Sequence, residues 1–163
     1  MLILGIDPGS NITGYGLVEK NGSVLRHIEN GCIRVRKKEF SQRLQEIHEG
    51  IRAIIERFRP NEVAVESVFF AKNPNSALKL GESRGVALLA AAQRRLPVVE
   101  YSTREVKQAV TGYGQATKDQ VQKMVKQILH LPEVAAEDAS DALAVAICHL
   151  QSYKIKGMIK LAK

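Results

Sequence analysis

A chain of 163 residues falls in the one-domain range and can bury roughly two-thirds of its unfolded surface. With 45% hydrophobic and 25% charged residues it has the balance of a folded globular protein, which excludes disorder or a fibre for most of its length. Lys and Arg number 24 against 17 Asp and Glu, a formal charge of +7 that points to an acidic partner such as nucleic acid, while the absence of Trp argues against a broad base-stacking platform.

In chain order, residues 2–7 form a wholly apolar run that stops at Asp7-Pro8-Gly9-Ser10, which predicts a buried strand ending in a carboxylate and a turn. Residues 13–19 read as a returning strand, and Asn21-Gly22 as a hairpin turn into a third strand near 23–35. From 41 to 59, Leu44, Ile47, Ile51, Ile54, Ile55 and Phe58 recur at helical spacing until Pro60-Asn61 ends the pattern. Val63-Ala64-Val65-Glu66 repeats the theme of a short buried strand closed by a carboxylate, followed by a loop over 67–76. An Ala- and Leu-rich helix is expected over 77–95, with Gly81 and Gly85 admitting close approach of another backbone, then a fifth strand over 97–101.

Ser102 with Glu105 and Thr117 with Gln120 have capping-box spacing and mark two further helices separated by a loop at 111–116, the second stopped by Pro132. A last helix, apolar nearly all round, is expected from Asp138 to about Tyr153. Three antiparallel strands followed by alternating helices and strands predict an α/β fold, a five-stranded mixed sheet flanked by helices on both faces. The domain is expected over 1–153, with a short basic tail at 154–163 carrying Lys154, Lys156, Lys160 and Lys163. Cys32 and Cys148 lack metal-ligand spacing and read as small core residues. No apolar run approaches the roughly 20 residues of a membrane span, and Asp7 comes too early for a signal-peptide core, so a cytoplasmic protein is expected.

Taken singly, each acid has a bland explanation. Asp7 suits a turn, Glu66 a strand reaching solvent, and Asp138 with Asp141 a helix N-cap and its partner. Together they are four carboxylates that a central sheet can gather in one small volume. Such a cluster repels itself and raises its own pKa values, so it calls for cations. Oxygen ligands spread over residues 7, 66, 138 and 141 favour Mg²⁺ over a Ca²⁺ loop, whose ligands alternate within one short segment. Two such ions at the separation usual for paired sites would stabilise the attacking and leaving oxygens of an in-line displacement at phosphorus. Lys107 and Lys118, on either side of Gly112-Tyr113-Gly114, are candidates to touch phosphate, and Phe69 to wedge against bases; each is equally at home as an exposed lysine or a core anchor.

The segments Gly5-Ile6-Asp7-Pro8-Gly9-Ser10 with Thr13-Gly14-Tyr15-Gly16, Glu66-Ser67-Val68-Phe69-Phe70, and Glu137-Asp138-Ala139-Ser140-Asp141-Ala142-Leu143-Ala144 resemble, in order and spacing, the RuvC family of bacterial Holliday-junction resolvases over nearly the whole chain. That resemblance implies a ribonuclease-H-like fold, a homodimer, and Mg²⁺-dependent endonuclease action on four-way DNA junctions in recombination and repair. By motif position it implies metal-binding catalytic carboxylates at Asp7, Glu66, Asp138 and Asp141, DNA-contacting lysines at Lys107 and Lys118, and a base-stacking aromatic at Phe69. Some members carry His at the position of Asp138, the least fixed of the four ligands. The family also implies collaboration with the RuvA and RuvB branch-migration proteins.

A two-fold dimer would supply the paired sites that two symmetric cuts require. The expected products are nicks with 5′-phosphate and 3′-hydroxyl ends. Three rivals use the same residues: an ATPase lobe of the sugar-kinase and actin type, a basic DNA-binding module without catalysis, and an RNA–DNA hybrid nuclease.

Overall fold

The structure, a computed structural model, describes residues 1–37, 39–67 and 73–161, with side chains described as far as residue 152. Strands β1 (Leu2–Asp7), β2 (Ile12–Asn21) and β3 (Val24–Arg34) form an antiparallel meander. Gly22, at φ 62°, turns the β2–β3 hairpin where the Asn-Gly pair predicts it. Helix α1 (Phe40–Phe58) then carries the chain across the sheet to β4 (Glu62–Ser67), which pairs in parallel with β1. Helix α2 (Pro74–Gln93) leads to β5 (Val98–Ser102), parallel to β4, and the sheet order is β3-β2-β1-β4-β5. Helices α3 (Thr103–Thr111), α4 (Lys118–Ile128) and α5 (Glu137–Leu161) complete the fold.

β1 is apolar up to its last residue, Asp7, because helices cover both of its faces. Leu4 and Ile6, with Leu17, Val63 and Val65, pack beneath Ile47, Ile51 and Ile55 of α1 and Ala87, Ala90 and Ala91 of α2. The alternate residues Ile3, Val18, Ala64 and Tyr101 meet α3, α4 and α5 on the opposite face. The expected capping boxes close α3 and α4 at Ser102 and Thr117, and Asn73 caps α2 ahead of Pro74. Helix α4 ends at Ile128, before Pro132 is reached. Helix α5 continues to Leu161, past the expected end near Tyr153, because Lys154, Lys156 and Lys160 change the apolar pattern without breaking helical backbone.

Glycine has a different role from the one anticipated in α2. A Cβ on Gly81 or Gly85 meets nothing within 4 Å, so neither admits a neighbouring backbone. The close approach falls under α5: a Cβ on Gly5 would stand 2.0 Å from the Ala142 carbonyl oxygen, and one on Gly14 1.9 Å from that of Asp138. Helix α5 therefore rests directly on the main chain of β1 and β2. Both cysteines are free, Cys148 buried and Cys32 half-buried. Among the described residues no helix is long and apolar enough to cross a membrane.

Candidate active site

Asp7 is the last residue of β1 and Glu66 the penultimate residue of β4. The parallel register pairs Ile6 with Val65, so Asp7 and Glu66 lie one step further along neighbouring strands. Strand alternation turns both towards the face occupied by α5, the face on which Gly5 and Ala64 also lie. Gly14 pairs with Asp7 across β1 and β2, and its bare Cα receives the Asp138 carbonyl. The seating of α5 on these glycines thus carries its N-terminal end, with Asp138 and Asp141, to the end of the strand that presents Asp7. The helix begins at Glu137, which places Asp138 within the first turn instead of at the cap.

Electrostatics register this convergence. Burial, then the charges of Glu66, Asp141 and Asp138, push the Asp7 carboxyl from its ordinary 3.8 up to about 8, against a smaller opposing pull from Lys118. Asp141 is raised to about 6, mainly by burial, with Lys118 acting against it and Glu66, Glu137 and Asp138 adding to the rise. Lys118, the first residue of α4, donates to Glu137 at 2.5 Å and lies 3.7 Å from Asp141. It is itself held protonated, chiefly by the bond to Glu137. Cys32, paired with Gly14 on the next strand, has its thiol raised by burial and then by Asp138, so it borders the cluster instead of filling the core as expected.

The four acids are electrostatically coupled, yet among the described residues no three His, Cys, Asp or Glu side chains form a ready metal cage. A donor set made entirely of carboxylate oxygens suits a hard divalent cation, and a carboxyl pushed up to about 8 by burial and then by three neighbouring acids is the imbalance such a cation would relieve. By that test the residues fit a hard divalent cation.

Of the other predicted residues, Lys118 joins the carboxylates, whereas Lys107, half-buried in α3, forms no ion pair with any of them. Phe69 lies outside the described residues. Two neighbours were not anticipated: Glu137, which holds Lys118, and Thr103, whose hydroxyl donates to Glu66 at 2.5 Å. The Ser102 capping box was the available signal for Thr103, because it fixes a helix start directly beyond a strand alongside β4.

Residues 3–149 match the family described as crossover junction endodeoxyribonuclease RuvC. The chain is 56% identical over 162 residues to the crossover junction endodeoxyribonuclease RuvC of Geotalea uraniireducens, covering 99% of this chain and 95% of that protein. Among solved structures, Thermus thermophilus RuvC in complex with a Holliday junction substrate superposes with a TM-score of 0.90 at 35% identity, covering 96% of each chain. The yeast mitochondrial Holliday junction resolvase Ydc2 shares the fold at a TM-score of 0.65 and 12% identity, covering 99% of this chain and 86% of that one. The architecture is the ribonuclease-H-like sheet flanked by helices that the sequence motifs imply, and the chain belongs to the RuvC family of crossover junction endodeoxyribonucleases.

Proposed function

We propose that this protein is a structure-selective endonuclease that resolves four-way DNA junctions by paired symmetric nicks, with Mg²⁺ held by Asp7, Glu66, Asp138 and Asp141. The observation that carries this reading is the burial of Asp7 against three acids from two other elements, with Lys118, among the described residues, the cation opposing their charge on it. The T. thermophilus relative bound to a Holliday junction supports the same substrate class. Bound magnesium, two ions by our reading, supplies Lewis acidity at the scissile phosphate and offsets the charge that builds up there.

The chain's own residues prepare that chemistry. Asp7, at the end of a central strand, would hold the cation as a carboxylate, its proton released to solvent. Asp138 and Asp141, three residues apart on α5, share one helix face and approach from the other side. Lys118 can exchange Glu137 and Asp141 for a DNA phosphate, which places a positive charge beside a site whose own acids repel the backbone. Lys107 and Phe69 are assigned to DNA contact on the family likeness. The products are 5′-phosphate and 3′-hydroxyl ends, ready for ligation.

Two symmetric cuts need two sites, and the open side of α2 offers a surface for a second copy. Leu78 is 64% and Leu89 51% exposed, and Gly81 and Gly85 between them are unobstructed. A homodimer through α2 would set two active sites about one two-fold axis. The family likeness also supports collaboration with RuvA and RuvB on chromosomal DNA, and hence a cytoplasmic setting.

Cleavage of a synthetic mobile four-way junction, linear duplex and RNA–DNA hybrid, each with and without Mg²⁺, tests the reading. Symmetric Mg²⁺-dependent nicks confined to the junction are expected. Equal cutting of hybrid, or no metal-dependent cutting at all, would overturn it in favour of a hybrid nuclease or a binding module.

A further inference from the structure

Thr103 follows β5 with no intervening loop and opens α3. The cap of that helix is already complete without it. Glu105 donates its backbone N–H to Ser102 Oγ at 3.3 Å, and its side chain accepts from the Ser102 backbone N–H at 2.8 Å. The Thr103 hydroxyl is therefore not needed to close the helix end. It donates instead to Oε1 of Glu66 at 2.5 Å. The parallel register makes this reach possible: Glu66 lies beside Tyr101 and Ser67 beside Ser102, so the residue after Ser102 projects over the end of β4.

Glu66 is also the member of the cluster that most needs holding. Asp7, Asp138 and Asp141 have short side chains on a strand end and a helix turn, whereas Glu66 has an additional rotatable bond and faces the same repulsion. We infer that Thr103 is a positioning residue: by binding Oε1 it fixes the rotamer of Glu66 and leaves Oε2 directed to the cation. This rests on reading Glu66 as a metal ligand. Partners of this kind, one step removed from a metal, commonly change metal affinity by about 10–100-fold when removed.

The test compares Thr103→Val, which keeps shape and loses the donor, with Thr103→Ser, which keeps the donor, and with Glu66→Gln. Calorimetric titration of Mg²⁺ and Mn²⁺ into the DNA-free protein gives metal affinity. Single-turnover cleavage of a four-way junction across a Mg²⁺ series then separates half-saturation from maximal rate. We expect Thr103→Val to weaken metal binding about tenfold and to raise half-saturating Mg²⁺ by the same factor, with near-normal maximal rate and unchanged junction binding; Thr103→Ser should restore both. Normal metal affinity in Thr103→Val, or Thr103→Ser as weak as Thr103→Val, would overturn the inference. Should Thr103→Val melt below the wild type, Thr103→Ala is read against the same two criteria, Thr103 being exposed. Glu66→Gln separates the two readings. If it retains metal binding and cleavage, the assignment of Glu66 is wrong; if it is inactive while Thr103→Val is normal, only the role of Thr103 is lost.

Discussion

Replacing Asp7 by Asn should make the metal-free protein more stable and the enzyme inactive. The native carboxyl sits at about 8 against an ordinary 3.8, so between these values the folded site keeps a proton that the unfolded chain has released. Because the unfolded state then binds fewer protons, wild-type stability falls as pH rises from about 4 to about 8. At 1.36 kcal/mol per unit, the cost at pH 7 has a ceiling of about 4 kcal/mol. Solvent reaching the site screens part of the repulsion, and we expect about 2 kcal/mol, equivalent to roughly 4–8 °C in melting temperature for a chain of this size. Asn carries no charge to repel, so the gain should be absent near pH 4 and grow towards pH 8. Urea unfolding in EDTA at several pH values measures it. Junction binding by gel shift should survive, since a negative charge near DNA has been removed, whereas Mg²⁺-dependent nicking should fall by several orders of magnitude. A variant no more stable than wild type at pH 7 would show that Asp7 does not face its neighbours as described. One that still nicks junctions would dismiss the metal role.

Magnesium binding should strengthen with pH, because an ion entering the site displaces the Asp7 proton below about 8 and the Asp141 proton below about 6. Calorimetry should find a loss of affinity that approaches tenfold per pH unit below about 7 and steepens under 6, and a flat profile would contradict the coupling. Gly14→Ala places a Cβ 1.9 Å from the Asp138 carbonyl, with main chain on both sides and no rotamer to yield. It should cost about 3 kcal/mol in a melting experiment and reduce cleavage about a hundredfold by lifting α5 off β2. Leu89→Arg, at an exposed position, should leave the fold intact and turn the proposed dimer into monomers by sedimentation velocity. Unchanged mass would move the interface away from α2.

The parts of the fold visible in the sequence were those with a local physical signature. Buried strands announce themselves as apolar runs, and Ser102 and Thr117 mark helix starts through bonds that span three residues. The strand-ending acids could be picked out for the same reason, since Asp7 and Glu66 each break an apolar run. What escaped was set by register and packing. That Thr103 meets Glu66 depends on how β5 aligns with β4, and that Cys32 borders Asp138 depends on the β2–β3 pairing and the position of α5. The glycines show this most clearly. Gly81 and Gly85 in a helix invite a packing role and have none, while Gly5 and Gly14 in strands bear a helix that only the folded chain brings there.

Where α5 touches β1 and β2 through bare main chain, its height above the sheet is fixed by atomic radii and not by the bulk of any interchangeable residue. The same arrangement leaves no tolerance at Gly5 and Gly14 themselves, where the addition of one methyl group would separate the two halves of the acid cluster.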